Sequence, residues 1–160
     1  MKREGAQSRW DGPEVVRDSR DDSAPALQAI DGGKDHFVVR DGVRFAGTHL
    51  ILDLWDADRL DDPDHIERAL RRIVEKAKAT LLHIHLHRFT PNGGISGVAV
   101  LAESHISVHT WPERSYAAFD VFMCGDAVPH VAVEELQAAF EPSRLEVSEH
   151  RRGILDDVPG

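Results

Sequence analysis

The run Glu103-Ser104-His105-Ile106-Ser107-Val108-His109-Thr110-Trp111-Pro112-Glu113 puts a serine directly after a carboxylate residue, with histidines one and five positions later. A serine so placed can do more than act as a hydroxyl nucleophile. Its Oγ can attack the preceding carbonyl and turn the Glu103–Ser104 amide into an ester. A base can then remove the Cα proton of Ser104, and the ester breaks by elimination. The dehydroalanine left behind hydrolyses to a pyruvoyl group at the head of a new chain. Such a protein makes its own electrophile.

Other reactive side chains lie within reach in sequence. Cys124, the single cysteine, precedes Gly125 at the end of an apolar stretch. A lone buried cysteine is usually a small hydrophobe, yet its thiol can also move a proton. The imidazole of a histidine such as His109 is a side chain suited to proton abstraction. It lies five residues after Ser104, so in an extended strand the two side chains point to opposite sides unless the strand bends. Spacing alone does not bring them together. His83, His85 and His87 alternate on one segment and share a side, as three zinc or iron ligands could. No cysteine or carboxylate recurs nearby at ligand spacing, so no metal is expected. His49 and Asp53 likewise share a strand face.

With Gly97-Val98-Ala99-Val100-Leu101-Ala102 before it and Tyr116-Ala117-Ala118-Phe119-Asp120-Val121-Phe122-Met123-Cys124-Gly125 after it, this run closely resembles the short bacterial and archaeal S-adenosylmethionine decarboxylase proenzymes. The resemblance spans Gly47 to Gly153. It implies self-cleavage between Glu103 and Ser104, giving chains of residues 1–103 and 104–160. It also implies a pyruvoyl group from Ser104 as the only cofactor. His109 becomes the base of the elimination, and Ser96 a hydroxyl that assists processing. Cys124 becomes the donor that reprotonates the substrate after CO2 is lost. Phe89 is implied to stack on the adenine of S-adenosylmethionine, and Glu113 to bind the ribose hydroxyls.

In that chemistry the substrate amine forms a Schiff base at position 104. The product is decarboxylated S-adenosylmethionine, the aminopropyl donor for spermidine. The resemblance further implies a homodimer of cleaved protomers. Two other readings stay open. One is a pyruvoyl-dependent decarboxylase of another amino acid, such as ornithine or arginine. The other is an unprocessed metal- or partner-binding sandwich that uses the histidine strand.

The elements that must position these residues follow from periodicity. His49–Trp55 is a strand. Asp61, Asp62 and Pro63 supply helix-start chemistry, and Ile66, Leu70, Ile73, Val74 and Ala77 mark an amphipathic helix over 63–79. Strands are expected at Leu81–Phe89, Ile95–Leu101, Ser104–Thr110 and Ala117–Phe122, with a turn at Thr90–Gly94. A second helix spans Pro129–Phe140, and Arg144–Val147 closes the order β-α-β-β-β-α-β. That order favours an α+β two-layer sandwich, a mainly antiparallel sheet covered on one face by two helices. The family's own fold agrees.

Composition sets the outer bounds. The 160 residues suit one domain, with 41% apolar content. Residues 1–35, rich in Asp, Arg, Ser and Gly, read as a disordered tail ahead of a domain from residue 36. A net charge of −9 without clustered Lys and Arg argues against nucleic acid. No apolar run approaches the ~20 residues of a membrane span. The polar N-terminus lacks a secretory h-region, and one cysteine permits no internal disulfide, so the expected compartment is the cytoplasm.

Overall fold

The computed structural model describes residues 36–155; the tail expected over residues 1–35 lies outside them. Among the described residues, seven strands form one sheet: β1 (Val38–Arg40), β2 (Val43–Trp55), β3 (Leu81–Arg88), β4 (Ile95–Leu101), β5 (Ser104–Trp111), β6 (Tyr116–Cys124) and β7 (Arg144–Leu155). Every pairing is antiparallel. Reading across, the order is β7-β2-β6-β5-β4-β3. β7 occupies one edge of β2 from Arg44 to Trp55, so β1 and β6 share the other edge, β1 beside Val43–Phe45 and β6 beside Gly47–Trp55.

Period-two alternation decides which face is covered. Ala117, Phe119, Val121 and Met123 of β6 are buried, as are Leu50, Leu52 and Leu54 of β2 and Ile106 and Val108 of β5. This apolar face meets two helices, α1 (Pro63–Lys76) and α2 (Val131–Phe140). α1 starts where the Asp62 carboxylate accepts the His65 N–H at 2.9 Å, with Pro63 in the first turn. It buries Ile66, Leu70, Ile73 and Val74. Glu135 of α2 is 8% exposed and pairs with Lys76 and Arg72 of α1, which ties the two helices together.

The expected α+β two-layer sandwich is therefore observed. Several bounds differ. α1 ends at Lys76 rather than 79, because Lys78 takes a left-handed φ of 59°. α2 starts at Val131, two residues after Pro129. β2 begins at Val43, and β7 continues to Leu155 rather than stopping at Val147. β7 is an exposed edge strand whose side chains show little apolar alternation, so backbone pairing with β2 sets its length. β1 is an added strand, joined to β2 by Asp41-Gly42 with φ of 54° and 73°. An Asp-Gly pair between Val-rich segments is the sequence signal for that hairpin.

Candidate active site

Ser104 is the first residue of β5, directly after the two-residue turn Ala102-Glu103 that joins it to β4. Glu103 holds φ at +59°. For a residue with a Cβ this conformation costs about 1–2 kcal/mol, and it falls on the residue directly before Ser104. The turn is pinned from outside by the Ala102 N–H, which donates to the Thr80 carbonyl at 2.9 Å.

β6 runs beside β5 and brings Cys124 to the same end of the sheet. The Cys124 backbone N–H donates to Ser104 Oγ at 3.2 Å. A donor aimed at that oxygen stabilises the negative charge that develops as the hydroxyl loses its proton. Burial pushes the Cys124 thiol pKa above its ordinary value, and the Glu103 carboxylate adds to the shift. The thiol is thereby kept in its proton-carrying form. Gly47 faces Cys124 across the sheet; a Cβ built there would lie 2.7 Å from the Met123 carbonyl oxygen. That close approach accounts for glycine at this position.

A second cluster forms at the other end of the β3-β4-β5 ribbon. The register pairs His87 with Ser96 and Ser96 with His109. Ser96 Oγ and His109 Nδ1 are 2.9 Å apart. The Phe89 ring meets His87 edge-on at 4.6 Å and is 47% exposed. Glu113 sits beyond β5 in a 3-10 turn, Pro112–Arg114, and is exposed. Trp111 lies between, its ring 6.3 Å from His109 and 5.2 Å from Tyr116.

The structure thus sorts the expected residues into two groups. Glu103, Ser104 and Cys124 lie at one end, and Phe89, Ser96, His109 and Glu113 at the other. Five residues of extended strand separate Ser104 from His109, roughly 16 Å. Alternation puts Ser104 on the side of the buried Ile106 and Val108, and His109 on the open side. Strand parity foretold this separation. The Ser96–His109 contact was not foreseen, although a two-residue turn at Ala102-Glu103 makes these residues cross-strand partners.

Between the clusters the open face carries a polar chain. His49 Nε2 lies 3.2 Å from Asp120 Oδ1, and the Ser107 hydroxyl donates to Asp120 Oδ2 at 3.1 Å. Arg152 lies 3.1 Å from His49 Nδ1. His49 therefore meets Asp120 and Arg152, while Asp53 accepts from the Tyr116 hydroxyl at 2.5 Å. Burial, with help from Asp53, lifts the Tyr116 pKa to about 12. His49, His105, Phe122 and Arg152 line a concavity of about 220 Å³. That is smaller than the ~300 Å³ at which pockets for drug-sized ligands begin. His83, His85 and His87 do share the open face, with the rings of His83 and His85 parallel at 6.5 Å. Among the described residues, no three His, Cys, Asp or Glu side chains converge as ligands of one ion would.

Comparison with known proteins adds the family. Residues 48–153 match the model of the S-adenosylmethionine decarboxylase family. An S-adenosylmethionine decarboxylase proenzyme of Methanococcus maripaludis is 47% identical over 114 residues, covering 69% of this chain and 93% of that protein. Proenzymes of the same name from Thermomicrobium roseum and Thermotoga maritima are each 42% identical, and the matches cover 97% and 88% of their lengths. The crystal structure of the adenosylmethionine decarboxylase from Aquifex aeolicus superposes with a TM-score of 0.62 at 32% identity, covering 72% of this chain and 98% of that one. Fold, motif and matched length agree: this chain belongs to the S-adenosylmethionine decarboxylase family.

Proposed function

We propose that this protein cleaves itself between Glu103 and Ser104 and then decarboxylates S-adenosylmethionine, releasing CO2 and the decarboxylated sulfonium that supplies aminopropyl groups for spermidine. The observation that carries this reading is the Ser104 hydroxyl held at 3.2 Å by the Cys124 N–H, directly after a left-handed Glu103, in a chain of this family.

Processing follows from the chain's own groups. Ser104 Oγ attacks the Glu103 carbonyl carbon, and the C–N bond to Ser104 breaks, leaving an ester and a free amine. A base takes the Ser104 Cα proton. The Cβ–Oγ bond then breaks, and Glu103 leaves as a carboxylate. Water converts the remaining dehydroalanine to the pyruvoyl group with loss of ammonia. The residues present fit that group: a serine heading a strand, a donor N–H on its oxygen, and, on the neighbouring strand, a cysteine whose thiol burial keeps in its proton-carrying form. Once formed, the pyruvoyl group serves as an electron sink for the carbanion left when CO2 departs. Cys124 delivers the proton that replaces it.

His109 and Ser96 are too far from Ser104 in the same chain to act on it. A second copy removes the difficulty. Two open faces stacked about a two-fold axis, lying between the sheets and perpendicular to the strands, put the His109 end of one chain over the Ser104 end of the other, where a base would approach the Ser104 main chain and its Cα proton from the face opposite the serine side chain. The open face carries exposed Ile51, Val100 and Trp111 beside exposed histidines, which suits burial against a partner. The small concavity of one chain would be completed by the partner's Phe89 and Glu113, the adenine and ribose contacts of this reading. This reading includes a homodimer of cleaved protomers.

Denaturing intact-mass measurement on purified protein tests the first half. Two fragments are expected, the smaller beginning at position 104 with a pyruvoyl mass. A single full-length chain sinks the reading. Assay of CO2 release then separates substrates. Turnover of ornithine or arginine in preference to S-adenosylmethionine would remove the roles given to Phe89 and Glu113.

A further inference from the structure

Building on the self-processing reading, we propose that His36, which lies ahead of the family-matched stretch, is a positioning residue for cleavage that straps the scissile turn to the end of β6. His36 Nε2 is 3.4 Å from Glu103 Oε2. Its carbonyl accepts the Gly125 N–H at 2.9 Å. Its ring packs on Gly125, where a built Cβ would lie 3.5 Å from Nδ1. Two residues later β1 begins, and Val38 pairs with Phe45 of β2. The Asp41-Gly42 turn closes that hairpin with positive φ at both positions.

These contacts make the segment before β1 a fixed arm. β1 and β6 share one edge of β2, which sets His36 beside the Cys124-Gly125 end of β6. From there its imidazole reaches the residue whose carbonyl is attacked. Glu103 holds a left-handed backbone without glycine's freedom, and a contact on its carboxylate supports that conformation. The Thr80 carbonyl holds Ala102, and His36 holds Glu103, so both turn residues are tethered. Both side chains of the pair are half-exposed, at 50% and 54%, so global stability gains little from it. The effect belongs in the rate of cleavage.

The test uses the full-length chain, synthesised cell-free with labelled methionine. The two methionines, Met1 and Met123, fall on opposite sides of the cut and label both fragments. His36→Ala is expected to slow loss of the intact chain roughly 1.5- to five-fold, the range open to one exposed side-chain pair. Glu103→Gln should slow it similarly, and the double variant no more than the slower single one. His36→Gln, which can still donate to Glu103, should recover part of the rate. In the uncleavable Ser104→Ala background, His36→Ala should leave the thermal midpoint unchanged. Wild-type cleavage by His36→Ala overturns the proposal, as do multiplicative single effects or a clear drop in that midpoint. A wild-type chain that stays intact removes the self-processing reading itself, and the strap's role with it.

Discussion

The backbone N–H of Cys124 donates to the Ser104 hydroxyl at 3.2 Å, although 20 residues separate them in sequence. The contact exists because β6 returns alongside β5 in an antiparallel hairpin. It joins the residue assigned to self-cleavage with the one assigned to turnover. On the proposed reading the main chain and side chain of Cys124 have different jobs, which substitution would separate.

Ser104→Ala should abolish cleavage and decarboxylation together. Cys124→Ala keeps the backbone N–H, so most cleavage should survive while turnover falls by about 10²–10⁴-fold, the usual contribution of a positioned proton donor. Intact mass and CO2 release, measured on one preparation, check both. Normal turnover by the cleaved Cys124→Ala protein would remove the thiol from the mechanism.

If the thiol is the proton donor, it also sets a pH limit. Cys124 must be protonated to donate, and burial with the Glu103 carboxylate raises its folded-state pKa. The donor form should persist through neutral pH and disappear as pH rises through that raised value. Glu103→Gln removes a negative charge, favours the thiolate and should move the alkaline limb of kcat to lower pH. Alkylation of cleaved protein by iodoacetamide, followed against pH, should show the same shift. A limb unmoved in both measurements assigns it to another group.

Separation of the two clusters predicts complementation. Ser104→Ala retains His109, and His109→Ala retains Ser104. Each variant alone should stay uncleaved. Co-expressed with distinct tags, they should form mixed dimers in which the His109→Ala chain is cut. Mass analysis of each tagged chain reads the result. Failure of the co-expressed His109→Ala chain to cleave would count against a base supplied by the partner.

Glu135 offers a stability test away from the chemistry. Its hydrogen bond to Lys76 holds the carboxyl pKa below its ordinary value. A depressed folded-state pKa contributes stability that is present above the unfolded carboxylate range and is lost as pH falls. Glu135→Gln should cost about 1 kcal/mol at neutral pH and progressively less in acid. Urea unfolding of uncleaved Ser104→Ala protein at several pH values, with and without the substitution, measures it. A pH-independent difference would mean that charge is not the source.

The core was legible because one sheet face is buried. Ala117, Phe119, Val121 and Met123 alternate with half-buried neighbours, and α1 shows its apolar stripe at helical spacing. The sequence marks β7 only as far as Val147, because from Ser148 onward it carries almost no apolar alternation; the pairing of β7 with β2 uses backbone groups common to any sequence. The site residues came from a family motif, and their grouping did not. That Ser96 faces His109 depends on the two-residue turn at Ala102-Glu103, and that Cys124 faces Ser104 depends on which strands are neighbours. His36 lies outside the motif, and nothing in its local sequence marks its contact with Glu103.

The strand order has one more consequence. A cut after Glu103 leaves β1 to β4 on one fragment and β5 to β7 on the other. Across the sheet, β7, β6 and β5 come from the second fragment and β2, β4 and β3 from the first, with β2 lodged between β7 and β6. The fragments are interleaved, so severing the turn removes no strand pairing. Unfolding, however, would release two separate polypeptides, and refolding would become a bimolecular encounter that dilution slows. An uncut chain would refold as one molecule, whereas recovery of a cut one would depend on concentration. Processing would then act as a ratchet that keeps native structure within each fragment's grip on the other.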